Sequence, residues 1–458
     1  MKFGGKRARI RLKAVAAIWA LGLAITAACT ASAQQTAPSV PETGQPVPAQ
    51  LDPAHPYQLP LEKLKQAAAL GRIRPALHFG WEAWEFIVLL LLLTSGGANR
   101  LARWTARRTN KSWLQAAIFA AAIVMLLFDV AELPVAAVGH AFSLHYGISI
   151  QAWPGWLLDQ AKALALALVT ETPLLMLVYG LMHWRWSQRY YWLWFAAALA
   201  PLMVLGAFLL PQVIEPLFNK FEPLAQSHPA LVKDLERVVT RTGIDIPPER
   251  MFLMKASEKS NSLNAYVSGL GASKRIVVWD TTADRMPVDE ILFTFSHETG
   301  HYVLNHIPKG LTLAIAGVFV LFWAAARLAA WLVGWQAGSC GGRWSIPSVV
   351  TLPGLVVLLL ALSVLQAITE PVSNFVSRYI EHEADVYGQE AIHGLVSDPR
   401  QTAVRTFNQL GESSLDDPDP NPFIVFWTYD HPSIQSRAIF SEHYDPWSNG
   451  QIPRFFQR

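Results

Sequence analysis

The sequence concentrates its chemistry between Met286 and Asn305, where His297-Glu298-Thr299-Gly300-His301 sits inside a helical pattern. Pro287, Asp289 and Glu290 suit the first turn of that helix. Proline loses nothing at the first position, and acidic groups complement the positive end of the dipole. Histidines four residues apart stand one turn apart on one face, so both imidazoles can reach a single ion. Glu298, beside the first histidine, is placed to hold a water at that ion and take its proton. The simpler reading is a helix carrying two surface histidines.

A hydrolytic zinc site needs a third protein ligand and an open fourth position. Leu304 and Ile307 occupy the places where a three-histidine HExxHxxGxxH site has Gly and His, which excludes that arrangement. A glutamate on a later helix is the alternative. Within Ser377–Asp385, Glu381 and Asp385 are four apart and share a face. A ligand and a carboxylate that orients a ligating histidine would be spaced in this way. His382 and Glu383 point elsewhere and read as solvated helix charges. Thiolate ligation is excluded, because the chain has two cysteines and Cys29 falls in a signal-like segment, leaving Cys340 alone.

The elements that must position these residues belong to a membrane protein. The chain is 52% hydrophobic and 16% charged, with 18 Trp, where soluble domains carry roughly 25% charged residues. This excludes a disordered chain, a basic nucleic-acid-binding protein and a disulfide-stapled mini-domain. The net charge of +3 names no partner. A basic stretch (Lys6 to Lys13), an apolar run to about Thr30 and Ala31-Ser32-Ala33 describe a secretory signal peptide or a first transmembrane helix over 1–33. Residues 34–60 read as an exported Pro/Gln/Ala-rich linker, with a helix from Leu61 to Leu77 leading on to about 82.

Apolar runs at about 83–99, 113–136, 155–182, 191–213, 309–334 and 347–369 are each long enough to span. The connection after the first holds Arg100, Arg103, Arg107, Arg108 and Lys111; the next, 137–153, holds neither Lys nor Arg; the third holds Arg185 and Arg189. This alternation places the first and third inside and 214–308 with the C-terminus outside, at the periplasmic face of a bacterial inner membrane. Asp129, Glu132, Asp159, Lys162, Glu171 and Arg327 fall within spans, where ionisable groups face a bundle interior, a partner or water. Asp159 and Lys162, three apart, are placed to pair. His297 and Glu381 are separated by two spans, so they share one side of the membrane.

Residues 274–279 read as a strand preceded, across Gly269 and Gly271, by Asn264-Ala265-Tyr266, a hairpin signal. An exposed strand beside a zinc helix can bind an extended peptide by adding it to the sheet.

Together these pieces resemble the integral-membrane zinc metalloproteases of the type I CAAX prenyl endopeptidase family. The likeness runs from about Tyr57 to Arg437. It is carried by Pro216–Leu224, Asn264-Ala265-Tyr266, His297–His301, Ser377–Asp385 and His431-Pro432 followed by Arg437. The resemblance implies one Zn2+ on His297, His301 and Glu381, and Glu298 as general base. Asp385 and Arg378 would stand behind the ligands, and His431 would steady the oxyanion. Asn264 and Tyr266 would contact substrate. His306 also has a family counterpart, and packing or capping the helix end is the role expected of it. The implied fold is mainly α: a polytopic transmembrane bundle around a hydrated chamber, with a gluzincin-type α+β peptidase domain.

The expected organisation is four transmembrane helices over 83–213, a catalytic insert at 214–308, a transmembrane hairpin at 309–370 and a C-terminal catalytic segment at 371–458. The expected activity is zinc endopeptidase action on membrane-associated or lipidated polypeptides, with polypeptide and lipid bilayer as partners and no nucleic acid. The alternative is a non-catalytic membrane chaperone or clamp with a structural zinc.

Overall fold

The computed structural model describes residues 55–269, 274–339 and 344–456. The signal-like segment 1–33, most of the linker, both cysteines and Gly271 lie outside them. Six helices among the described residues are long and apolar enough to cross a membrane. α1 (Leu61–Thr94) precedes the short α2 (Gly97–Arg108), and α3 (Ser112–His145), α4 (Trp153–His183) and α5 (Gln188–Phe218) follow.

A small sheet domain comes next: β1 (Phe221–Pro223), α6 (Pro229–Thr242), β2 (Met251–Met254), β3 (Ala265–Ser268), β4 (Arg275–Trp279) and α7 (Val288–Val303). Two long helices, α8 (His306–Ala337) and α9 (Leu352–Ala391), return through the bundle. α10 (Pro399–Ser414), α11 (Pro422–Thr428) and α12 (Ile434–His443) close the chain.

The helices enclose the expected runs at 113–136, 155–182, 191–213 and 309–334 and overlap the other two, the last of which starts at Leu352 instead of near 347. Gly96 turns the chain at φ +67°, so the first span ends at Thr94 instead of near 99. The arginines that follow ride on the separate α2, where Arg108 lies 5.0 Å over the Trp104 ring. The last span and the segment carrying Glu381 are one unbroken helix of 40 residues. Apolar side chains such as Val169, Val320 and Trp331 stand exposed on the spanning helices, the surface that lipid would cover.

The sheet has order β1-β2-β4-β3, with β2 and β4 parallel and the other pairs antiparallel. The β3–β4 hairpin is the one legible in the sequence. β1 and β2 have only three and four residues, too few to show a period. β3 forms the edge. Its Tyr266 pairs inward with Val277, between Ala265 and Val267.

Two large apolar cores result among the described residues, beside two small ones. One lies between the spanning helices, around Phe119, Ile123, Phe195 and Val356. The other lies between the sheet, α7 and α10, around Leu235, Val278, Phe293 and Phe407. α9 joins them. Residues 55–60, expected to be linker, are pinned to the second core: Tyr57 is buried and its hydroxyl donates to the Asp416 carbonyl at 2.9 Å. Asp159 does pair with Lys162 at 3.2 Å, but its shorter contact is to Lys259 at 2.6 Å. That contact clasps α4 to the sheet domain.

Candidate metal centre

α7 and α9 approach closely because glycine stands on each. A Cβ at Gly388 would meet the His297 backbone nitrogen at 3.0 Å, and one at Gly300 would meet the Tyr387 ring at 3.0 Å. This brings His297, His301 and Glu381 together. His297 Nε2 lies 3.2 Å from His301 Nε2 and 3.2 Å from Glu381 Oε2, and His301 Nε2 lies 3.6 Å from Glu381 Oε1. The three donor atoms all lie within 4.8 Å of one another. Glu381 Oε2 is buried and has no hydrogen-bond partner. Two imidazole nitrogens and a carboxylate oxygen aimed at one point are a donor set that fits Zn2+ with a fourth position open.

The electrostatics point the same way. Burial opposes charging of His297, but Asp385 and Glu381 outweigh it and push its pKa up to about 10. Burial and the neighbouring His297 push His301 down to about 3. The carboxylates attract positive charge to this point, while burial and repulsion deny both rings a proton at once.

The ligand side chains are backed by others. His297 Nδ1 lies 2.9 Å from Asp385 Oδ1. Arg437 donates to both oxygens of Asp385, Nε at 2.9 Å and Nη2 at 2.6 Å, with its guanidinium 4.5 Å over the Phe407 ring. Behind His301, His306 Nδ1 lies 3.3 Å from His301 Nδ1, and His306 Nε2 lies 3.4 Å from Glu383. His306 therefore does more than pack or cap a helix end. Glu383 is not a solvated charge either, since it is shared between His306 and Arg454. His382 rests on the Phe440 ring at 4.5 Å.

Glu298 is half-buried, and burial raises its pKa, while a hydrogen bond from the Val267 backbone partly offsets this. It thus sits against the edge strand β3. His431 Nε2 lies 3.3 Å from Glu381 Oε2, and its Nδ1 lies 2.8 Å from Asp430. Arg378 stands away from the ligands. Its Nη1 donates to the carbonyls of Val425 (3.0 Å) and Tyr429, and Asn374 donates to that of Trp427. α9 thereby holds the segment that presents His431.

Asn264 is exposed and lines a cavity of about 610 Å3 with His78, His431 and Arg437. The Tyr266 hydroxyl is directed elsewhere: it donates to Glu215 at 2.7 Å, which Arg275 also binds at 2.7 Å. Asn374, Asp430 and the Arg437 clasp were not singled out from the sequence. For Asn374 a signal exists, since it precedes Arg378 by four residues and Glu381 by seven on one helix face.

A long apolar bundle joined to a small α+β domain, with a divalent-metal donor set at their junction, defines a membrane metallohydrolase. Residues 220–442 match peptidase family M48, and residues 39–220 match the CAAX prenyl protease N-terminal family, described as having five membrane helices. The metalloprotease YhfN of Bacillus subtilis is 32% identical over 402 residues, covering 86% of this chain and 88% of YhfN. CAAX prenyl protease 1 of Saccharomyces cerevisiae is 27% identical, covering 62% of each chain. The crystal structure of S. mikatae Ste24p shares the fold, with TM-score 0.69 and 20% identity over 93% of this chain and 96% of that one. The chain belongs to the integral-membrane metalloproteases of peptidase family M48.

Proposed function

We propose that this metalloprotease is a zinc endopeptidase that cleaves membrane-associated or lipidated polypeptides, with one Zn2+ held by His297, His301 and Glu381. The observation that carries the reading is the convergence of those three donors within 4.8 Å of one another, beside Glu298. When bound, Zn2+ would supply Lewis-acid polarisation and lower the cost of deprotonating a water.

The remaining work falls to side chains. Glu298, fixed by Val267 and raised in pKa by burial, takes the proton of the attacking water and returns it to the leaving amine. His431, braced by Asp430, donates from Nε2 to the carbonyl oxygen as negative charge develops there. The peptide lies along the free edge of β3, pairing with the backbone of Ala265 and the carbonyl of Val267, and Asn264 contacts it from the cavity wall. Asp385 and Arg437 hold His297 in orientation.

The structural-zinc alternative has no use for a carboxylate placed as Glu298 is. The charge pattern of the loops supports a site on the periplasmic side of an inner membrane. Reporters fused after Lys111 and after Arg458 should then report opposite sides, with the C-terminus outside. Zinc content and peptide hydrolysis, measured for wild type beside Glu298→Gln, decide the function. Equal zinc and a loss of roughly 10²- to 10⁴-fold in turnover are expected. No hydrolysis by the zinc-loaded wild type, or none distinguishable from Glu298→Gln, overturns the reading.

A further inference from the structure

A second group of metal-ligand type stands away from the peptidase centre, where α1 crosses α9. His78 and Glu82, four apart on α1, meet Glu370 of α9. His78 Nε2 lies 3.1 Å from Glu370 Oε2 and 4.0 Å from Glu82 Oε1. One donor atom from each lies within 4.8 Å of the others, the same limit that encloses the peptidase donors. Their side chains are 29%, 18% and 23% exposed, too enclosed for freely solvated surface charges. They open on a cavity of about 250 Å3, together with Glu85 and Ser363, whose hydroxyl donates to Glu85 at 2.5 Å.

The charge balance sets this group apart from an ordinary ion pair. Glu82, Glu85 and Glu370 lie on helices long and apolar enough to span a membrane. Among the described residues, no Lys or Arg forms an ion pair with any of the three. The cation one turn from His78, Arg74, is bound to the carbonyls of Ser414 and Leu415 and to Asp416. Clustered carboxylates in such a setting need a compensating positive charge. An imidazole aimed between two of them supplies the nitrogen donor that a divalent transition cation prefers, and no thiolate competes.

We propose that His78, Glu82 and Glu370 form a second divalent-cation site, of the Zn2+ class, separate from the peptidase centre. Glu370 precedes Glu381 by eleven residues, which is three turns. The two face within about 20° of one direction and stand about 16 Å apart along α9. The bound cation would tie α1 to the helix that carries Glu381. His78 also lines the larger cavity with His431, so the new site borders the cleft. This proposal does not depend on the peptidase mechanism.

The test is zinc stoichiometry by equilibrium dialysis of the full chain in detergent. Wild type should retain two equivalents. His297→Ala/His301→Ala should retain one, and so should His78→Ala or Glu370→Gln. The peptidase zinc kept by those last two serves as their fold check. Should either lose both ions, Glu82→Gln decides, because it leaves the His78–Glu370 contact between the helices intact. It should weaken the second equivalent at least tenfold. One equivalent in wild type, two in His78→Ala, or wild-type affinity in Glu82→Gln overturns the site.

Discussion

Arg437 grips Asp385 with two hydrogen bonds, Nε to Oδ2 at 2.9 Å and Nη2 to Oδ1 at 2.6 Å, while Asp385 Oδ1 lies 2.9 Å from His297 Nδ1. A guanidinium on α12 thus fixes the orientation of a histidine on α7 through a carboxylate on α9. Asp385→Asn should lower zinc affinity 10- to 100-fold, measured by competition with a chromogenic chelator. Arg437→Lys should fall in the same direction, because an ammonium cannot reproduce the paired geometry. Unchanged affinity in both would deny the clasp its role.

His431 should act on turnover more than on binding. His431→Ala is expected to lower kcat by about 10²- to 10³-fold with KM little changed. Arg378→Ala and Asn374→Ala, which release the segment carrying His431 without touching the donors, should produce part of that loss and leave zinc content intact. Steady-state kinetics beside metal analysis separates the two effects.

Gly388 permits the contact between α7 and α9 on which the metal centre depends. Gly388→Ala would push a methyl against the His297 backbone at 3.0 Å. The cost should be about 1–3 kcal/mol of stability, with weaker zinc binding. Gly310→Ala, where nothing lies within 4 Å, serves as the control. Thermal midpoints and chelator competition read both.

Glu290 gives a pH dependence away from the metal. Burial pushes its pKa from 4.5 up to about 7 despite Arg405, and its Oε2 has no hydrogen-bond partner. The folded protein therefore holds this proton more tightly than the unfolded chain. The stabilisation is complete below about pH 4.5 and is lost as pH rises through about 7. Glu290→Gln should flatten that part of the stability profile, by on the order of 1 kcal/mol per pKa unit. A Glu290→Gln profile parallel to wild type between pH 5 and 7.5 would contradict this.

The residues of the candidate centre were legible in the sequence to the extent that helical spacing reaches. Four-residue spacing puts His297 and His301 on one face, and Glu381 and Asp385 on another, because 3.6 residues make a turn. Long apolar runs announce the spanning helices, because only a segment that satisfies its own backbone can cross lipid. The hairpin shows for similar local reasons.

What the sequence alone could not determine is which distant faces meet. That Arg437 serves Asp385, that Glu383 serves His306, and that Arg378 holds the His431 segment instead of a ligand are contacts across tens of residues. Such contacts arise from the packing of α9 against α7, α11 and α12, and spacing along one helix carries no information about it. The same holds for Tyr266, whose strand is readable but whose hydroxyl turns to Glu215. It holds also for His78, Glu82 and Glu370, which become neighbours only where α1 crosses α9.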